Sequence, residues 1–202
     1  SDIGLECVTG TPEARNARAR DVMGQGGSSL PPLVAVAHVD VPKLMGTWYV
    51  IGVQPTYFEV GACNCREVYT PAEWADGVQV DFTFNAGFLE GPIKSMPQKG
   101  YGWVSDSPAS WLVSPFWPLK MPYLVIEQSE VSLDDEEAWF VVGWPNRAYV
   151  WIMARKPVMD DSTYENIKTD LVEKHLYPTG LPTLVKVPHK WVEDDVGTLC
   201  RA

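Results

Sequence analysis

The chain has 202 residues and carries 16 Lys and Arg against 26 Asp and Glu, a formal charge of −10. With 46% apolar and 21% charged residues the composition is globular rather than disordered, and the length suits one β-rich domain with tails rather than two full domains. The acidic balance argues against nucleic acid and anionic lipid surfaces, which would repel it, and no apolar run approaches the roughly 20 residues of a membrane helix, so a soluble body is expected.

The chain opens Ser1-Asp2-Ile3 without Met or an apolar targeting run, as expected after removal of a precursor segment or trimming. Residues 1–35 read as an extended N-terminal arm: Gly24-Gln25-Gly26-Gly27-Ser28-Ser29 and Pro31-Pro32 are breaker-rich, and Ala14–Met23 offers one helical patch with Arg15, Arg18 and Arg20. The arm either lies back over the acidic body or stays solvated. Residues 36–190 read as one barrel plus a helix, and 191–202 as a tail.

From residue 46 onward, short runs rich in Val, Ile, Tyr, Trp and Phe alternate with turn clusters. Eight strands are predicted: Thr47–Gln54, Cys63–Thr70, Val78–Phe84, Lys99–Ser105, Ala109–Ser114, Tyr123–Gln128, Ala138–Trp144 and Ala148–Arg155. Asp76-Gly77 and Pro145-Asn146-Arg147 are the clearest turns. Eight sequential antiparallel strands predict an all-β up-and-down barrel, a size that holds one small ligand. Ser162-Thr163-Tyr164-Glu165 reads as a capping box with Ser162 as N-cap, opening a helix whose Tyr164, Ile167 and Leu171 face the outside of the barrel. Pro178 and Gly180 stop it.

Four ordered segments carry a resemblance. Gly46-Thr47-Trp48-Tyr49 is a G-x-W-Y turn, and Val142–Pro157 ends the last strand on Arg155. Between them lie the Cys-x-Cys strand Cys63–Thr70 and the proline-rich Pro115–Tyr123. Together they resemble the lipocalin family, in the branch of bacterial outer-membrane lipocalins, apolipoprotein D and plastid lipocalins, over roughly residues 38–190. The last two segments are most similar to plastid members. Gln128-Ser129-Glu130 stands where the family has T-D-Y, and Asp134-Asp135-Glu136-Glu137 lengthens the same turn.

The resemblance implies a calyx closed at one end by Trp48 under Arg155, a structural pairing with Gly46 at its turn. If Arg155 points inward, alternation along the strand sends Met153, Trp151 and Tyr149 inward as well. The same logic groups Cys63, Cys65, Glu67 and Tyr69 on one face of strand two. The family pattern adds Tyr123, Val125, Phe140 and Val142 to the lining. Such a lining favours a long apolar or flat conjugated guest; the alternative is that the rings fill the barrel as core. No cofactor is required by this reading, and a bound lipid, carotenoid or chlorophyll fits it. Turns at the open end carry Tyr57, Phe58, Phe88, Leu89, Phe116, Trp117, Leu119 and Met121, an apolar rim that either dips into a bilayer or complex or folds over as a lid.

Cys63 and Cys65, two apart on a strand, are too far separated to bridge each other comfortably. One is expected to bond Cys7 and the other Cys200, in either pairing, and family members that tie the C-terminal tail to this strand support that. Oxidised cysteines imply a secreted, periplasmic or thylakoid-lumen setting. His38, His175 and His189 have no metal-ligand spacing, so no metal is expected. No phosphate loop, nucleophile elbow or H-E-x-x-H is present, and Glu67, Glu127 and Asp81 are the inward-leaning acid–base candidates. A binding protein for a fatty acid, oxidised lipid or pigment is expected, by resemblance protecting photosynthetic membranes in the thylakoid lumen. The alternatives are an interaction subunit docking on a thylakoid complex through the mouth, and an enzyme resembling violaxanthin de-epoxidase, whose Cys-rich domain and acidic helical tail this chain lacks.

Overall fold

A computed structural model describes residues 30–72, 77–103, 109–115 and 118–190. The arm before residue 30, the tail after 190, and Phe116 and Trp117 lie outside the described residues.

The first turn of helix, α1 (Val41–Leu44), is capped by Asp40, whose carboxylate accepts from Lys43 N at 3.4 Å. Strand β1 (Gly46–Gln54) leads through a 3-10 turn (Tyr57–Glu59) into β2 (Ala62–Pro71), β3 (Val78–Ala86) and β4 (Ile93–Trp103). Then come β5 (Ser110–Ser114), β6 (Met121–Gln128), β7 (Trp139–Gly143), β8 (Val150–Ala154), helix α2 (Asp161–Glu173) and the two-residue β9 (Val185–Lys186). Each strand from β2 to β8 pairs antiparallel with the next, β8 pairs with β1, and β1 pairs with β2. The barrel therefore closes, as predicted, with eight strands. The ninth, β9, pairs with Gly52 and Val53 where β1 has left β2; at two residues it carries no periodic signal a sequence reading could use.

Alternation sorts the side chains into two apolar layers. The inner one gathers Trp48, Val50 and Val53 from β1, Cys65 and Tyr69 from β2, Phe82 from β3, Trp111 from β5, and the inward residues of β6–β8. The outer one joins Ile51, Ile126, Val141, Val150 and Ile152 to Tyr164, Ile167 and Leu171 of α2. Gly52 makes this seat possible, since a Cβ there would stand 2.8 Å from the Tyr164 hydroxyl oxygen.

Two local expectations are corrected. Helix α2 is capped by Asp160, which accepts from Thr163 N at 2.9 Å, and not by Ser162. A carboxylate is the stronger acceptor at a helix N-terminus, and Glu165 is engaged with Lys168 at 2.7 Å. Strand β4 begins at Ile93, six residues before the predicted start. Lys94, Ser95 and Pro97 are poor strand formers, and cross-strand pairing to Phe84, Thr83 and Asp81 decides the matter.

Candidate functional site

The closed end is built first by the chain. Gly46 turns with φ of +102°, and a Cβ on it would come 3.1 Å from Arg155 Nη1. Trp48, fully buried, donates from its indole N–H to Leu44 O at 2.7 Å and meets Phe140 edge-on at 4.6 Å. Arg155 lies over the indole with Cζ 3.7 Å from the ring centre, where the resemblance puts it. Its guanidinium donates to four backbone carbonyls: Leu133 at 2.8 Å, Thr47 at 2.9 Å, and Lys43 and Met45 at 2.7 and 2.9 Å. Burial lowers Arg155 to about 10, so it stays cationic at neutral pH.

Above this plug the barrel interior turns acidic and aromatic. Tyr69 donates its hydroxyl to Glu67, and the Tyr69 and Tyr123 hydroxyl oxygens stand 2.7 Å apart. Trp111 stacks on Tyr123 with ring centres 4.3 Å apart, fixing the phenol's direction. Burial pushes Glu67 up to about 7; the Tyr69 hydrogen bond opposes that and the Glu59 carboxylate adds to it. Burial likewise raises both phenols and the Cys65 thiol, which stay neutral.

Glu59 was not singled out by the sequence reading. It comes from the 3-10 turn at the mouth, where its carboxylate accepts from Thr56 N at 2.8 Å, Thr56 Oγ1 at 2.7 Å and the Trp151 indole N–H at 2.7 Å. Thr56-x-x-Glu59 is a capping-box spacing, the signal that could have found it.

Of the expected lining, Tyr69, Tyr123, Val125, Phe140, Val142 and Met153 fall in the one inner cluster, with Trp151 packed against it and half-buried. Tyr149 sits outside that cluster, its ring 6.2 Å from Trp151 and 5.4 Å from Trp144. Of the rim, Tyr57, Phe58 and Phe88 are exposed and Leu119 half-buried; Ile93, 75% exposed, joins them unforeseen.

Alternation fails where strands bulge. Ala62 and Cys65, three apart, both belong to the inner cluster, because a register shift separates Cys63 from Arg66 and Asn64 has φ of 51°. Cys63 and Cys65 therefore do not share a face, and the expected pair of bridges is corrected: Cys65 is a buried free thiol. Cys63 is disulfide-bonded; Cys7 and Cys200 lie outside the described residues. A second bulge, between Val125 and Glu127, turns Glu127 to the outer wall, 3.5 Å from His175 Nε2. Asp81 lies between inward Val80 and Phe82, faces outward and accepts from the Gln79 amide at 3.0 Å. Neither is an interior acid. Among the described residues no three His, Cys, Asp or Glu side chains gather to hold a metal ion.

Comparison with known proteins settles the family. The lipocalin-like domain model matches residues 39–183. The chain belongs to the lipocalin family. It is 31% identical over 140 residues to the outer membrane lipoprotein Blc of Citrobacter freundii, covering 66% of this chain and 73% of that one. Temperature-induced lipocalin-1 of Arabidopsis thaliana is 25% identical over 151 residues, 69% of this chain and 75% of the plant protein. Among solved structures the fold is similar to insecticyanin of the tobacco hornworm Manduca sexta (TM-score 0.55, 13% identity, 79% of this chain and 86% of that one). It is also similar to the cockroach allergen Per a 4 (TM-score 0.55, 15% identity, 78% and 93%). Lipocalins are in general carriers of small hydrophobic molecules rather than enzymes, and membership makes this chain a binding protein of that class.

Proposed function

We propose that this lipocalin carries a long apolar or flat conjugated guest, an oxidised lipid or a photosynthetic pigment such as a carotenoid or chlorophyll, in a plastid's thylakoid lumen, where withdrawing it protects the membrane from light or oxidative damage. The observation that carries the reading is the inner wall: Tyr69, Phe82, Trp111, Tyr123 and Phe140 present rings to one space, and the half-buried Trp151, Phe84 and Met96 extend it toward the mouth. Rings of this kind gain roughly 25 cal/mol per Å² of apolar ligand surface withdrawn from water, before entropic costs. The plastid setting is supported by the similarity of the Cys-x-Cys and proline-rich segments to plastid members and by the plant relative.

Organic extraction of the purified protein, followed by absorbance and mass analysis, tests it. A stoichiometric apolar compound, with quenching of Trp fluorescence when that compound is added back, is the expected result. An empty extract and no quenching by lipids or pigments removes the carrier role. A second reading rests on Tyr57, Phe58, Phe88 and Ile93, four exposed apolar side chains on turns and strand ends at the open end: the mouth docks on a photosynthetic membrane complex. Co-purification with such a complex, together with an empty extract, favours it.

A further inference from the structure

The Glu67, Tyr69 and Tyr123 side chains form a chain of three protic groups joined by two hydrogen bonds, inside a wall that is otherwise apolar. Its middle member is 1% exposed, whereas Glu67 and Tyr123 at its two ends are each 8% exposed. The two ends are thus less deeply buried than the middle. Counting protons decides what those ends can offer. With Glu67 neutral, three protons serve two internal hydrogen bonds, and one donor is left over, on Tyr123 or on Glu67 according to the direction of the chain. With Glu67 ionised, two protons serve two bonds and nothing is left to donate.

The charges around the chain are one-sided. Glu59 stands close enough to raise Glu67, Cys65 beside them is a neutral thiol, and both phenols are neutral. The cation beneath, Arg155, is committed to the Trp48 ring and four carbonyl oxygens. Lys94, across from Phe84 on the inner side of β4, is exposed. A carboxylate lowered head-first into this interior would meet two glutamates and, among the described residues, no available guanidinium or ammonium, at a depth where charge is poorly screened.

We propose that Glu67, Tyr69 and Tyr123 form an anchor for a neutral oxygen, which receives the hydroxyl or carbonyl head of an uncharged apolar ligand and rejects a free carboxylate. The inference rests on the carrier reading and narrows it: the guest is an alcohol, ketone or comparable neutral oxygenated apolar molecule rather than a fatty acid. The two neutral heads also behave differently. A hydroxyl accepts from the leftover donor when Glu67 is protonated and donates to its carboxylate when it is not, so its affinity is flat with pH. A ketone only accepts, and loses its partner as Glu67 ionises.

The experiment is fluorescence titration of the full chain with three probes of one conjugated 18-carbon chain, ending in a primary alcohol, a methyl ketone and a carboxylic acid, at pH 6 and pH 8. The alcohol is expected to bind equally at both. The ketone should weaken about tenfold at pH 8, because Glu67 titrates near 7. The acid should bind at least tenfold more weakly than the alcohol at pH 8. In Glu67→Gln the amide supplies a permanent donor, so the ketone's pH dependence vanishes and the acid recovers; if that variant fails to fold, the three-probe comparison in the unaltered protein decides alone. Equal binding of all three heads at both pH values overturns the anchor and leaves the carrier standing. Tighter binding of the acid, as a carboxylate held at the mouth by Lys94 would give, also overturns it. Binding of none of the three removes the carrier and the anchor together.

Discussion

The closed end and the middle of the barrel are both polar inclusions in an apolar interior, and they are finished differently. At the closed end, Arg155 hands its donors to four backbone carbonyls and its charge to the Trp48 ring, and Trp48 hands its own N–H to Leu44 O. What the buried groups there offer is taken up inside the protein. In the middle, two carboxylates are buried with no free cation among the described residues, and the hydroxyl chain ends on groups that keep some accessible surface. A fully satisfied inclusion stabilises; one with valence to spare is a place for a guest. Carbonyls hold the arginine whatever the pH, whereas the glutamate's state depends on it.

That contrast is broken most forcefully at the plug. Trp48→Ala is expected to cost roughly 3–5 kcal/mol, as a large-to-small change in a well-packed core, with the same cost at pH 5 and pH 8 because no titrating group is uncovered. Denaturant unfolding at the two pH values reads it; a cost that differs between them by more than 1 kcal/mol would place Trp48 in the titrating network instead.

Next in size is an opposition between the inner and outer walls. Glu67 is raised from 4.5 to about 7 by burial, so it favours the folded state fully below 4.5, and that stability is lost as pH rises through 7. His189 lies on the outer side, its ring nitrogen 2.9 Å from Val50 O, and burial lowers it from 6.5 to about 4. Its contribution is present above 6.5 and is lost as pH falls through 4. Each shift corresponds to about 3 kcal/mol, over almost the same pH window and with opposite sign, so in the unaltered chain they cancel. Glu67→Gln should unmask the histidine, giving stability that rises by about 3 kcal/mol relative to the parent between pH 4 and 7. His189→Gln should give the mirror image. Parallel curves for both variants and the parent would show that neither group carries its proton as its surroundings dictate.

How much of this was legible in the sequence follows the same division. The plug was readable through the family resemblance, and Gly46, Trp48 and Arg155 each bring it something specific: a positive φ, an indole and a guanidinium. The barrel and the outer helix were readable because alternation and helical periodicity ran uninterrupted through most elements. Where side-chain parity failed, it failed at bulges. Parity put Cys63 with Cys65 and leaned Glu127 inward, and one extra residue in each strand reversed both. A bulge is set by the fit between two strands, which neither strand states alone. Glu59 escaped for another reason: it reaches the interior from a turn, where strand alternation does not apply. Tyr69 and Tyr123 were both assigned to the lining, but their meeting at 2.7 Å depends on β2 and β6 facing each other across the barrel.

The smallest expected effect sharpens the comparison most. Tyr69→Phe keeps the ring that packs on Phe140 at 6.4 Å and removes only the hydroxyl joining Glu67 to Tyr123. At pH 5, where Glu67 is neutral, the two hydrogen bonds lost, to Glu67 and to Tyr123, are both neutral ones in the interior, together about 1–2 kcal/mol. At pH 8 the carboxylate is ionised, the lost bond to Glu67 is a charge-assisted one, and the cost should grow by about 1 kcal/mol. Because the Tyr69 hydroxyl is what holds Glu67 down against burial, its removal should also move that carboxyl's titration above 7. Carboxyl-directed NMR titration of the variant measures this directly. A cost that is the same at both pH values, with Glu67 titrating where it did before, would make Tyr69 a packing residue like Trp48 and erase the distinction between the two inclusions.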